Sequence, residues 1–306
     1  MNQSPQGKTY AAFAGTVLIG GSNFIAVSLS NRELPPLFGA AVRFALAALL
    51  FALIARAWHV PLARGRAAAG PALYGALGVG AAYALLYYAL VELTAGMTAV
   101  ILATVPLFTL VIAVALRQER LSARGIAGGV LAVAGIAILS RGALEGDFGW
   151  AYLAAAVGGA VAIAASSVVA RSCRHVHPVN MNAIGMAAGT VLLAMGSLAL
   201  GERWALPRES QTIAAVGYLV TLGSIGLFQL FLYVVKRLTA SATVYAVATM
   251  PVVAVALGVV MLAQPVTLEV LAGGAVVMAA VYVGVVAGGR GAPEAPAAVR
   301  PTSTGG

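Results

Sequence analysis

Ten apolar runs of about 20 residues, separated by short polar connections, leave this chain one natural solvent, the hydrocarbon of a bilayer. In hydrocarbon such a run becomes a helix, because only a helix satisfies its own backbone hydrogen bonds within one segment. The runs cover residues 10–29, 36–55, 70–90, 94–116, 123–139, 149–170, 179–200, 212–235, 239–262 and 268–286. Their connections leave no room for a soluble domain. Only 9% of the 306 residues are charged and 61% are hydrophobic, too little polarity to coat a water-facing surface. The 36 glycines agree, since membrane helices approach one another through small residues. The first run has only Lys8 before it and no convincing cleavage site, so it reads as a retained helix and not a signal peptide.

The net charge of +9 would point to nucleic acid on a soluble protein. Here the basic residues sit in short connections, where they set topology. No basic patch is interleaved with aromatics, so no nucleic-acid partner is expected. Of the 18 Lys and Arg residues, thirteen fall on the side of the N-terminus and four, Arg32, Arg141, Arg203 and Arg208, on the other. This predicts a multi-pass protein of the cell inner membrane with both termini cytoplasmic. Residues 1–9 form the cytoplasmic N-terminus, and 288–306, rich in Gly, Pro and Ala, a disordered cytoplasmic tail.

The chain repeats itself at an offset of 145. Residues 77–106 align without a gap on 222–251 with eleven identities, among them Gly78/Gly223, Leu93/Leu238, Thr94/Thr239, Ala95/Ala240, Thr98/Thr243, Thr104/Thr249 and Pro106/Pro251. Gly128 and Gly129 fall on Gly273 and Gly274 in the same register. The offset contains five helices, and an odd number turns the second copy over in the membrane. The charges say the same: Glu92 aligns with Arg237 and Arg124 with Glu269, each pair swapping sign with the side on which it lands. The expected fold is all-α, ten transmembrane helices in two inverted five-helix repeats, 10–140 and 149–287.

The Leu93-Thr94-Ala95-Gly96 turn, the Ala103-Thr104-Val105-Pro106 centre and Gln118-Glu119-Arg120-Leu121-Ser122 after the fourth helix resemble the EamA family of the drug/metabolite transporter superfamily. The resemblance covers about residues 10–286, and within the family it is nearest to YddG-type amino-acid exporters. The second copy departs from the closing motif, with Ala263-Gln264-Pro265 in place of Gln118-Glu119-Arg120. The resemblance implies export of small metabolites, amino acids including aromatic and apolar ones, by alternating access through a central cavity. It implies no cofactor, with the lipid bilayer and a small-molecule substrate as partners. Glycines in the fifth and tenth helices pack within one chain, as in a monomer, or between two chains, which leaves a homodimer open.

All nine acidic residues and all three histidines lie in connections or at helix ends. No carboxylate is therefore available inside the membrane to exchange a cation for a proton. No P-loop pattern exists to use ATP. The run Cys173-Arg174-His175-Val176-His177 offers three metal-ligand types, but a closed zinc site wants four, and the segment reads as a polar loop. No catalytic or metal site is expected. Efflux of a drug or another metabolite is the alternative within transport, and a non-transporting sensor or intramembrane enzyme the alternative from another class.

Arg43 is the one charge inside a run, seven residues from its start and so roughly 10 Å deep. Three readings stand: counter-ion to a substrate carboxylate, snorkelling to the surface, or bonds to nearby carbonyls. Asn23, Gln229, Thr98 and Thr249 are polar candidates for a cavity wall or for glue between helices. Tyr83 and Tyr87 share one helix face at spacing four, and Tyr245 lies deep in the ninth run. Tyr87 also suits an interfacial aromatic belt. Pro106 and Pro251 each remove a backbone bond in mid-helix, as a hinge or as a static kink.

Overall fold

Helix starts are written into the sequence where a proline or a hydroxyl residue precedes an apolar run. Pro36 and Pro178 open their helices at positions that have no intrahelical partner for an N–H. The hydroxyls of Thr94, Ser122 and Thr267 accept the free amide hydrogens of Met97, Gly125 and Val270. Ser122 and Thr267 are 145 residues apart, so the offset in sequence is also an offset in capping.

The computed structural model describes residues 5–117, 122–141, 148–173, 175–230 and 240–286, without the side chains of 5–7, 240–248 and 285–286. Among the described residues are ten helices and no strand. They are α1 (Pro5–Ser30), α2 (Pro36–Ala57), α3 (Arg66–Ala89), α4 (Ala95–Ala115), α5 (Ala123–Leu139), α6 (Trp150–Ser172), α7 (Pro178–Ala199), α8 (Ser210–Leu230), α9 (Ala240–Leu262) and α10 (Leu268–Gly284). Seven are long and apolar enough to cross a membrane, namely α1 to α4 and α6 to α8. The apolar stretches described for α5, α9 and α10 are shorter.

Contacts recur in pairs under a shift of five helices. The first helix packs on α8 and α9, and α6 packs on α3 and α4. The remaining large seams join α3 to α7 and three helices to their counterparts: α2 to α7, α4 to α9 and α5 to α10. Gly128, Gly135 and Gly273 lie in the α5–α10 seam, so close that a Cβ on Gly128 would stand 2.6 Å from the Gly284 Cα. These glycines therefore serve packing inside one chain, while Gly129 faces open space. The largest buried cluster, with Phe44, Phe51, Tyr87, Met186, Leu193 and Leu219, draws on α1, α2, α3, α7 and α8.

Besides the π-turn Tyr282–Val286 that ends the last helix, two helices widen into one in mid-span, Ala76–Ala81 in α3 and Thr221–Gly226 in α8. These turns are also 145 residues apart. π-Turns are rare and gather at functional sites. The two prolines behave less alike. The fourth helix is interrupted at Ala103–Thr104, just before Pro106, and resumes at Val105. The ninth runs without interruption from Ala240 to Leu262 through the buried Pro251.

The distal ends of the bundle, opposite the N-terminus, are tied by carboxylates. The amides of Leu37 and Phe38, at the start of α2, donate to Glu202 after α7 at 3.1 and 2.8 Å. Glu33 after α1 accepts from the amides of Arg208 and Glu209, before α8, at 2.5 and 3.1 Å. Glu92 after α3 accepts from the amide of Gly149, before α6, at 3.1 Å. At the other end Asn180 of α7 bridges the loop after α2, accepting from the Ala63 amide at 3.2 Å and donating to the Pro61 carbonyl at 3.0 Å.

Candidate functional site

The π-turn of α8 presents the Gly223 carbonyl to two side chains of the first half. Asn23 of α1 donates to it through Nδ2 at 3.1 Å, and Arg43 of α2 through Nη2 at 3.2 Å. The Nε of Arg43 donates to the Ser224 hydroxyl at 3.3 Å, and that hydroxyl donates to the Leu219 carbonyl at 2.9 Å. Rings fill the space around the guanidinium: its Cζ stands 4.8 Å from the centre of Phe44 and 5.2 Å from that of Tyr83. Phe44 and Tyr83 meet edge to face at 4.6 Å. One turn above the π-turn, the Ser22 and Tyr218 hydroxyls pair at 2.5 Å.

Burial decides between the readings of Arg43. The residue is 1% exposed, so it does not snorkel to a surface. It bonds to carbonyl and hydroxyl oxygens, yet its Nη1 has no hydrogen-bond partner. Asn23 Oδ1 and the Tyr87 hydroxyl are also buried without a partner. Tyr87 is 0% exposed and belongs to the core, not to an interfacial belt. Its backbone carbonyl accepts from Asn31 Nδ2 at 2.9 Å. Asn23 and Arg43 thus meet on one turn of the other half, with Tyr83 beside the guanidinium and Tyr87 next to Tyr83.

The remaining candidates lie on α4, α8 and α9. Thr98 is fully buried and donates back to the Thr94 carbonyl of its own helix at 3.1 Å. Gln229 is half-buried on α8 beyond the π-turn, and Thr249 is exposed on α9. The side chain of Tyr245 lies outside the described residues. Gly223 and Ser224, the acceptors at the centre, were not singled out for the site. The only signal in the sequence was the Gly78/Gly223 identity of the repeat. Of the loop residues considered for metal, His177 uses Nδ1 to accept the Val179 amide at 3.3 Å and so caps α7. The described residues contain no group of three His, Cys, Asp or Glu placed to hold a metal.

Two matches to one family decide what kind of bundle this is. The EamA-like transporter family matches residues 7–141 and again residues 150–286. The chain belongs to that family. The double match covers both sets of five helices, in step with the paired caps and paired π-turns. An "Uncharacterized inner membrane transporter YedA" of Escherichia coli strain K12 is 34% identical over 284 residues, 90% of each chain. An "Uncharacterized transporter" of Archaeoglobus fulgidus is 25% identical over 286 residues, 90% of this chain and 98% of the relative. A solved crystal structure superposes with a TM-score of 0.64 at 20% identity, covering 92% of this chain and 98% of its own, and attests the fold. The protein is a membrane transporter of the EamA family, all-helical and with inner-membrane transporters among its relatives.

Proposed function

We propose that this transporter exports small metabolites, above all amino acids with apolar or aromatic side chains, as a facilitative or exchange carrier. Its halves are inverted repeats that alternate access to a central cavity, and both termini lie in the cytoplasm. The observation that carries the reading is the bonding of Asn23 and Arg43 from the first half to the π-turn of the second, with the Tyr83 and Tyr87 rings gathered beside them. A cluster built by both halves feels any change in how they meet. The phenol and phenyl rings offer an apolar wall, and the unpaired polar atoms beside them offer points for a charged head group. Gln229, Tyr245, Thr98 and Thr249 complete the proposed lining, and Pro106 and Pro251 serve as hinges, the first with a break in its helix just before it. The carrier works as a monomer, with the glycines of α5 and α10 used internally.

The reading is tested by reconstituting the purified chain in proteoliposomes and measuring uptake of a panel of radiolabelled amino acids without a pH gradient. Saturable uptake of large apolar amino acids is expected, together with counterflow when the vesicles are preloaded. Uptake of none of them, with transport of some other metabolite, would leave the family and remove the substrate class. Topology is tested with single cysteines in a Cys173→Ser background. One placed at Asn31 should react with an impermeant thiol reagent from outside the cell, and one at Gly65 should not.

A further inference from the structure

Arg43 places a guanidinium in the interior of the bundle. Among the described residues no carboxylate is its partner; its bonds go to one carbonyl and one hydroxyl. A buried cation in this state is costly unless an anion joins it. One face of the guanidinium is committed to α8, which leaves Nη1 as a free donor. The Tyr87 hydroxyl lies close enough to feel the guanidinium charge but forms no hydrogen bond of normal geometry with it. It is a second free donor, buried as completely as the first. On the other side of the shared Gly223 carbonyl, Asn23 turns Nδ2 to the backbone and keeps Oδ1, an acceptor, without a partner. Two vacant donors beside a fixed positive charge, and a vacant acceptor held by the same carbonyl, match the head group of an α-amino acid.

We propose that Arg43 Nη1 and the Tyr87 hydroxyl form a carboxylate subsite, with Asn23 Oδ1 as the acceptor for the neighbouring ammonium. The subsite rests on the transporter reading above and specifies which part of the substrate the cluster holds. A carboxylate arriving there competes with the Gly223 carbonyl for the guanidinium. Occupancy therefore loosens the tie between α2 and α8, and the released carbonyl becomes a second acceptor for the ammonium. Arginine suits this exchange because its planar fork can turn both Nη atoms to one carboxylate, Nη2 leaving the carbonyl as it does so.

The test is thermal unfolding of the full chain in detergent, in a chloride-poor buffer, with three probes that share one ring. L-Phenylalanine carries both charges, 3-phenylpropionate only the carboxylate, and 2-phenylethylamine only the ammonium. The first two should raise the Tm in a saturable way and the amine should not. Tyr87→Phe removes a hydroxyl that has no partner, so it should fold as well as the parent. It should need about tenfold more 3-phenylpropionate for the same rise in Tm. Arg43→Gln should abolish the response to both carboxylates, and if it does not fold the Tyr87→Phe titration decides alone. Stabilisation by the amine as strong as by the acid, or an unchanged titration in Tyr87→Phe, would overturn the subsite. Vesicle flux separates this from the wider reading. Transport of amines or neutral solutes with no carboxylate effect on Tm would sink the subsite and keep the carrier. Carboxylate binding with no flux of any solute would keep the subsite and sink the carrier.

Discussion

Two seams of this bundle occupy matching places in the repeat and are built in opposite ways. Where α3 meets α7, glycine faces glycine. A Cβ on Gly75 would overlap the Gly185 carbonyl, and one on Gly189 would stand 2.9 Å from the Gly80 amide nitrogen. The backbones touch, and no side chain separates them. Where α8 meets α2, the residues in register with Gly75 and Gly80 are Val220 and Ile225, and an arginine stands between the helices. The π-turns repeat the contrast. Gly78 of the first lies against Ser166, whose hydroxyl donates to the Tyr74 carbonyl at 3.0 Å. Gly223 of the second lies against Asn23 and accepts from a charged group. A duplicated scaffold has kept the π-turns of α3 and α8 in both copies and placed the charge beside one. The symmetric features therefore read as architecture, and the asymmetric seam as the place where selectivity resides.

This contrast can be broken from either side. The largest effect on folding is expected from Gly75→Val, which copies the second seam into the first. Its side chain meets backbone that cannot step aside, so about 3 kcal/mol or more of stability should go. A Tm within a few degrees of the parent would mean that the α3–α7 contact is not tight. Arg43→Met should act in the reverse sense. Replacing a buried, incompletely paired cation with an apolar side chain leaves stability unchanged or raises it. Transport of carboxylate-bearing substrates should fall by about tenfold or more. A large drop in Tm with normal transport per folded molecule would assign Arg43 to structure alone.

The tethers sharpen the comparison at smaller magnitude. Glu202 supplies an N-terminal cap to α2, whose own Pro35 offers none, and Ser197 donates to the same carboxylate at 2.6 Å. Glu202→Ala should cost about 1 kcal/mol, visible as a lower Tm. Asn180→Ala, at the opposite end, is expected to cost less, since it removes neutral bonds only. The smallest effect belongs to Glu33. Desolvation pushes its carboxyl up, but the amides of Glu209 and Arg208 outweigh this and hold it below its usual 4.5. With the folded value depressed, its contribution is complete above the unfolded value and disappears only as pH falls through the folded one. The Tm difference between Glu33→Gln and the parent should stay constant from neutral to mildly acidic pH and shrink below the ordinary carboxylate range. A difference that shrinks already between pH 7 and 6 would contradict the tie to backbone amides.

The sequence discloses what side chains declare and conceals what the backbone does. Ten spans follow from hydropathy, and the repeat from identities that include capping hydroxyls. Arg43 stands out as the lone charge in a span, and Tyr83 and Tyr87 as one helix face. Their shared target does not stand out, because a carbonyl carries no letter and a π-turn no strong composition. Thr98 illustrates the converse. Its place in the repeat marks it as a candidate, but a hydroxyl in a helix finds its nearest acceptor one turn back. The unequal behaviour of Pro106 and Pro251 is equally hidden, since identical residues at matching positions give an interrupted helix in one half and an uninterrupted one in the other.

The packing of α1 has a consequence in time. Its main partners, α8 and α9, begin at Ser210 and Ala240, so a ribosome delivers the first helix long before the two helices it packs against most extensively exist. During that interval its polar side chains face lipid or unfinished neighbours. Thr16 and Ser22 manage the wait alone, donating to the carbonyls of Ala12 and Leu18 at 2.8 and 2.6 Å within their own helix. Asn23 cannot do so fully, because an amide has more to satisfy than a hydroxyl. The nascent first half is therefore expected to sit in the bilayer as separately stable but loosely gathered helices. It closes only when the π-turn of α8 arrives to accept Asn23 and Arg43, which makes the candidate site also the last joint of assembly.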